Sequence, residues 1–133
     1  MSVGARARPG IAILALVAAT GCRSSGPRRY VTVQKNAQGV RREVPFWTTA
    51  DAMQGCMQEG MKRLDAGIKA IEAFEGGKCA EGRIGDLGHG TPVELMPASP
   101  ECKHLAYVKV LDGDTKGKAG CVPPEVLSDH VVP

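Results

Sequence analysis

Aromatic residues are scarce in this sequence of 133 residues, at 4% of the composition: Tyr30, Phe46, Trp47, Phe74 and Tyr107. So few rings disfavour a carbohydrate-binding cleft or a platform on which single-stranded nucleic acid stacks. The formal net charge is only +3 and acidic and basic residues are interleaved, so we expect no nucleic-acid partner. No stretch reaches the roughly 18 apolar residues of an ordinary membrane-spanning helix. The length predicts one domain, or one small domain with an accessory segment.

The first part of the chain has the pattern of an export signal. Arg6 and Arg8 precede a short apolar run at residues 10–19, which suits a secretory translocon but is too short to span a bilayer. The run leads into Ala19-Thr20-Gly21-Cys22. This motif resembles the lipobox of bacterial lipoproteins, although Ala19 stands where Leu is usual. The resemblance implies cleavage before Cys22, a diacylglyceryl thioether on its sulfur, and acylation of the new amine by a chain such as palmitate.

These features predict a lipoprotein signal peptide at residues 1–21 and a polar tether at residues 22–29, with the membrane as a partner through the lipid anchor. Arg23, rather than Asp, follows the lipobox. By resemblance to Gram-negative sorting, this implies the periplasmic side of the outer membrane in the cell envelope. Two alternatives stay open: a membrane-anchor helix with an incidental cysteine, and an ordinary signal peptide cut near Ala19.

Four further cysteines form an even set in an exported chain and predict two disulfide bonds: Cys56, Cys79, Cys102 and Cys121. Their wide spacing is unlike a Cys-x-x-Cys redox centre or a zinc site. A straight helix from Cys56 to Phe74 would be about 27 Å long, which disfavours a bond from Cys56 to Cys79. Of the three possible pairings we favour Cys56 with Cys102 and Cys79 with Cys121, which would tie the helix to the C-terminal half.

An amphipathic helix is predicted over residues 48–77. Thr48 and Asp51 fit a capping pattern at its start, and Gly76-Gly77 ends it. A stripe about 80° wide collects its large apolar side chains: Met53, Met57, Met61, Leu64, Ile68 and Ile71. We interpret this stripe as the face that packs on the core, the alternative being a methionine-lined groove for a partner. Gly60 and Gly67 beside it predict close approach of another element, or a bend.

Alternating apolar residues predict short strands on both sides of this helix. Residues 30–47 fit a β-hairpin with a turn at Asn36-Ala37-Gln38-Gly39. Residues 91–95, 105–111 and 118–122 predict three further strands, after which Pro123-Pro124 permits only a tight turn. The fold class is therefore α+β.

The C-terminal segment contains three motifs in a family's order: Gly90-Thr91-Pro92-Val93-Glu94-Leu95, Tyr107-Val108-Lys109-Val110-Leu111-Asp112-Gly113 and Gly117-Lys118-Ala119-Gly120-Cys121-Val122-Pro123. Residues 79–129 thus resemble a bacterial SH3-like (SH3b) domain. The resemblance implies a five-stranded, strongly bent barrel that serves as a binding module, with the helix packed on it. Cys121 stands where the family has Trp, so a disulfide would replace that ring's packing. A groove for proline-rich peptides is disfavoured, because Tyr107 is the one aromatic residue in the segment.

Other chemistry has little support. The loop at residues 112–117 fails as a calcium loop, because Lys116 and Pro123 stand where oxygen ligands are needed. His89 and His104 have no nucleophile or carboxylate suitably placed, so we expect both to be exposed loop residues. We therefore expect no metal site, no cofactor and no catalytic residue.

The sequence predicts a non-enzymatic, membrane-anchored envelope lipoprotein whose SH3-like module binds peptidoglycan or a periplasmic protein. We assign the contact face to His104, Tyr107, Lys109 and the turn at residues 112–118. Two other classes remain open. A thiol-active or hydrolytic envelope enzyme requires an accessible free cysteine, and a small inhibitor or immunity-type lipoprotein requires a tight protein partner.

Overall fold

The computed structural model describes residues 26–133, in which one long helix accompanies an antiparallel sheet of short strands. The predicted α+β class is confirmed. The predicted signal peptide and the lipidation of Cys22 lie outside the described residues. The strands are β1 (Arg28–Val31), β2 (Val44–Trp47), β3 (Arg83–Leu87), β4 (Pro92–Leu95), β5 (Ala106–Val110), β6 (Ala119–Val122) and β7 (Leu127–Ser128). The helices are α1 (Ala50–Asp65) and the single turns α2 (Ala70–Ala73) and α3 (Gly77–Ala80), with 3-10 turns at Pro100–Cys102 and Pro124–Val126.

The seven strands form one open sheet in the order β3-β2-β6-β5-β4-β1-β7. The closed five-stranded barrel predicted for residues 79–129 is not what forms. Two strands from upstream of residue 79 complete the sheet: β2 lies between β3 and β6, and β1 lies between β4 and β7. The predicted tether is also too long, because Arg28 and Arg29 belong to β1, opposite Glu94 and Val93.

The hairpin predicted at residues 30–47 is wrong, although its turn exists. The Asn36 carboxamide oxygen accepts hydrogen bonds from the amides of Gln38 and Val40, both at 3.0 Å. The two flanking strands then diverge, because each one pairs with strands from further along the chain. Long-range partners therefore override a local turn signal.

The hydrophobic core lies on the inner face of the sheet. Seven large side chains there are almost fully buried, and each contributes about 1.5–3 kcal/mol: Val31, Phe46, Leu87, Val93, Val108, Val110 and Val122. Alternation along β5 puts Val108 and Val110 in this core and leaves Lys109 exposed.

Helix α1 is shorter than predicted. Its N-cap is Thr49, one residue after the predicted Thr48, and the Thr49 hydroxyl accepts from the Ala52 amide at 3.0 Å. It ends at Asp65 because Gly67 takes a φ of +90°. The Gly67 and Ile68 amides then donate to Leu64 and Arg63 carbonyls at 2.9 and 3.0 Å, which is a Schellman cap. The prediction of one helix to residue 77 is therefore wrong beyond Asp65.

The buried face of α1 carries small residues rather than the predicted methionine stripe. Ala50, Cys56 and Gly60 are buried, whereas Met57 and Met61 are 50% and 52% exposed. The reason is close packing at Gly60, where a Cβ would lie 2.1 Å from a ring carbon of Phe74. The predicted close approach at Gly60 is thus confirmed. The core role of the stripe is wrong for Met57, Met61, Ile68 and Ile71, and Met53 alone of its methionines packs inward.

The sheet has two distinct ends. Trp47, Cys121 and Tyr107 lie in one row across β2, β6 and β5, and α1 begins three residues after Trp47. We call this the helical end. The turns at residues 36–39 and 112–118 lie at the opposite, loop end, because they follow β1 and β5.

Candidate functional site

The predicted contact face is spread along the sheet rather than gathered in one pocket. His104 is exposed in the turn before β5 at the helical end. The Tyr107 ring is half-buried against the Cys102–Cys121 pair and Leu105. Lys109 is exposed further along β5, and the turn at residues 112–118 lies at the loop end. The binding role of these residues remains a prediction.

The four cysteines of the described chain form two disulfides, as predicted, but the favoured pairing is wrong. The bonds join Cys56 to Cys79 and Cys102 to Cys121, with Cα separations of 4.2 and 5.4 Å. The early end of α1 explains the error, because the chain reverses there and brings α3 alongside α1. Cys56 therefore staples two helices together rather than a helix to the sheet.

Apolar contacts dock the helices to the sheet. Trp47 packs with the Cys56–Cys79 pair, and Ala50 packs with the Cys102–Cys121 pair. Met53 contacts both groups, which makes it the methionine of α1 that packs inward. An exposed ion pair from Lys103 Nζ to Asp51 Oδ1 at 2.6 Å adds little. The two disulfides thus lie on either side of one small interface.

His89 has a structural role that the sequence did not reveal. Its Nδ1 accepts a hydrogen bond from the Val33 amide at 3.0 Å, and its Nε2 then donates to the Val132 carbonyl at 2.5 Å. The expectation that His89 is an exposed loop residue is wrong, because the ring joins two chain segments. The same expectation is confirmed for His104.

Ser128, Asp129 and His130 bring together the three residue types of a hydrolase triad, and sequence reasoning did not single them out. The hydrogen bond from the His130 ring, followed by its charge, lowers the pKa of Asp129. Asp129 Oδ1 and Ser128 Oγ lie 2.7 and 3.5 Å from the same ring nitrogen, Nδ1. A triad needs the carboxylate and the hydroxyl on opposite nitrogens. This exposed cluster therefore cannot relay a proton to Ser128.

Carboxylates line a cleft at the loop end. Glu43, Asp86, Asp112 and Asp114 face it, and Arg83 Nη2 already binds Asp86 Oδ1 at 2.6 Å. Among residues 26–133, no three side chains of the ligating types are close enough to hold a metal ion. The cleft is an acidic surface and not a formed cation site.

Part of the surface of the helices and their connections carries large exposed apolar side chains. We call it the methionine surface, defined by Met57, Met61, Ile68 and Ile71, which are 39–70% exposed. A shallow groove between Met57 and Met61 is bordered by Gln58 and Lys62. From the sequence, an exposed methionine-lined groove was the alternative to a stripe that packs on the core. The signal for it was the placement of Cys56 and Gly60, which centre the packed face of α1 beside the stripe and leave Met57 and Met61 on its flank.

None of the helices between residues 26 and 133 combines the length and apolarity that crossing a membrane requires. A scan against models of protein families, a search of curated proteins and a search of solved structures find no match to this chain. The functional assignment therefore depends on the sequence motifs and on the geometry described above.

Proposed function

We propose that this chain is a non-enzymatic lipoprotein of a bacterial cell envelope, anchored through an acylated Cys22, whose sheet acts as a binding module. The partition of the five cysteines carries this proposal. Four of them are paired in the described structure, and the fifth, Cys22, ends the lipobox motif. Disulfides persist in oxidising compartments outside the cytosol. Export explains both the two disulfide bonds and the fifth cysteine, which is the one available for acylation.

The strand arrangement supports an SH3-like assignment for the module. Strands β7, β1, β4, β5 and β6 are five consecutive neighbours in the sheet. The 3-10 turn at Pro124–Val126 precedes β7, as the tight turn precedes the last strand in the resemblance. On this assignment β1 supplies one strand, and β2 and β3 are additions. Cys121, fully buried beside Tyr107, then supplies the packing of the family's missing Trp.

An enzymatic role has less support. All four cysteines of the described residues are buried in disulfides, so they offer no accessible thiol. His89 is occupied at both ring nitrogens by the backbone. The cluster around His130 lacks a relay geometry. A binding role for a cell-wall component or a periplasmic protein therefore remains the better proposal.

Acylation of Cys22 tests the anchor. The full chain, expressed in Gram-negative cells, should yield an N-terminal peptide that begins at Cys22 and carries acyl chains in the membrane fraction, as read by mass spectrometry. The matched variant Cys22→Ser should lose both cleavage and acylation. Recovery of an unmodified Cys22 thiol from the wild-type chain would overturn the proposal.

A photo-crosslinking amino acid at Lys109 tests the module, because this side chain is exposed on β5. Lys35, exposed in the loop after β1, gives a matched control position. We expect adducts with muropeptides or with a periplasmic protein from position 109 and not from position 35. Recovery of one stoichiometric protein would favour the inhibitor class, and equal labelling from both positions would contradict a binding face on β5.

A further inference from the structure

The methionine surface exposes several large apolar side chains to solvent, although the packed interface of α1 lies next to it. Met57 and Met61 are half-exposed, and Ile71 is 70% exposed. Met57 and Met61 lie on the flank of α1 beside the Phe74 contact at Gly60, and Ile71 lies in the turn α2 that follows. Met57 and Met61 line one groove, and an exposed apolar patch of this kind marks a surface that meets a partner or a membrane.

The chain enters the fold at the same end of the sheet from which α1 departs. The Gly26 amide donates to Glu94 Oε2 at 3.1 Å, and the Pro27 carbonyl accepts from the Leu95 amide at 2.7 Å. Leu95 lies opposite Val108 on β5, next to the row that contains Trp47. Four strand spacings separate β1 from β2, about 19 Å along the sheet. The point where the chain enters the fold and the start of α1 therefore both lie at the helical end.

The connection from the predicted anchor to this entry is short. Four residue steps lie between Cys22 and Gly26, and a fully extended chain covers about 14 Å over that length. If Cys22 is acylated, as the proposed function requires, Gly26 lies within that distance of the lipid headgroups, at the end of the sheet that also carries the helices. The loop end is the end of the sheet further from this entry point.

We propose that the methionine surface lies against the bilayer that holds Cys22, with its side chains in the boundary between headgroups and acyl chains. Unbranched methionine side chains adapt to such a disordered phase. The exposed Lys62 and Lys69 bring aliphatic stems whose charged ends reach the headgroups. Asp65 and Glu72 balance these two charges, so the apolar side chains and not anionic lipid provide the contact. The occupant is the lipid itself.

The test places a benzophenone amino acid at position 61 or at position 40 of the full chain in cells. Val40 is the matched control for Met61, because the two side chains are 55% and 52% exposed. Val40 lies at the loop end and Met61 at the helical end. Membranes are illuminated, and lipid adducts are quantified by mass spectrometry together with the acylation of Cys22. We expect about tenfold more lipid adduct from position 61 than from position 40. Position 57 should repeat the result of position 61.

Each other outcome has a separate meaning. Equal lipid labelling from positions 61 and 40 in an acylated chain would overturn this inference and leave the proposed anchor intact. Protein adducts from position 61, with a second copy or with another chain, would overturn it in favour of a protein contact. An unacylated Cys22 would overturn both proposals.

Discussion

The sheet and the helical end of this molecule are held together by different means. The sheet buries large side chains such as Phe46, Leu87 and Val108 to 1% exposure or less. Helix α1 buries small residues, such as Ala50 and Gly60, and leaves Met57 and Met61 outside. Burial of large apolar side chains stabilises the sheet, whereas α1 and α3 bury smaller ones and are cross-linked by Cys56–Cys79. Side-chain size in this chain thus does not determine which residues are inside.

Removal of a core side chain should have the largest effect. Phe46→Ala should lower the free energy of unfolding by about 3–5 kcal/mol. The ring of Phe46 fills space that Gly85 and Gly120 leave open, and those glycines cannot move in to fill the cavity. Urea unfolding followed by circular dichroism measures the change. The exposed Val40→Ala is the control and should stay within about 0.5 kcal/mol. Similar losses for both variants would show that the sheet core is misassigned.

Opening the helical staple should rank second. Replacing Cys56 and Cys79 together by Ala should lower the free energy of unfolding by about 3 kcal/mol on the chain-entropy estimate. Amide exchange should lose its protection in α1 to α3 and keep it in β4 and β5. Replacing Cys102 and Cys121 opens a loop of similar length and should extend the loss to β6. If the two double variants gave the same exchange pattern, the separation into two regions would be wrong.

The glycines of α1 should respond in opposite directions. Gly60→Ala drives a methyl group into the Phe74 ring and should destabilise the fold by about 1–3 kcal/mol. Gly55→Ala meets nothing closer than the Lys78 side chain at 3.7 Å and should stabilise it by about 0.5–1 kcal/mol, since Ala favours helix. Thermal unfolding of both variants measures this. A stabilising Gly60→Ala would mean that Phe74 does not pack there.

The exposed methionines should have the smallest effect on stability. Met61→Gln keeps a good helix former on the wet side of α1 and should change the free energy of unfolding by less than about 0.5 kcal/mol. Chemical denaturation of the purified protein measures it against wild type. A loss of unfolding free energy as large as that of Phe46→Ala would mean that Met61 packs in the core after all.

Local patterns predicted the elements better than their partners. Alternation in residues 91–95, 105–111 and 118–122 is confirmed by β4, β5 and β6. The pairing of β1 with β7 joins residues far apart in sequence, and no local pattern encodes it. This is why the strands at residues 30–47 were assigned to each other.

The helix was overextended for a different reason. Gly67 reads equally well as an interior glycine or as a C-cap, and Ile68 and Ile71 continue the apolar period beyond it. The wrong helix end then produced the wrong disulfide pairing. Of the candidate site, the sequence identified the four paired cysteines but not the role of His89, since its partners are backbone groups that no side-chain motif reveals.

Strand β1 depends on residues that are synthesised long after it. Arg28 pairs with Glu94, and Val31 pairs with Leu127. If the chain is exported from its N-terminus, as proposed, β1 crosses early. It waits for its first hydrogen-bonded neighbour until β4 has crossed, and for its second, β7, until almost all the chain has. The Cys56–Cys79 bond, by contrast, can close once residue 79 emerges. The Cys56–Cys79 disulfide would then form before the sheet assembles. Interrupted transport would leave cross-linked helices next to an incomplete sheet.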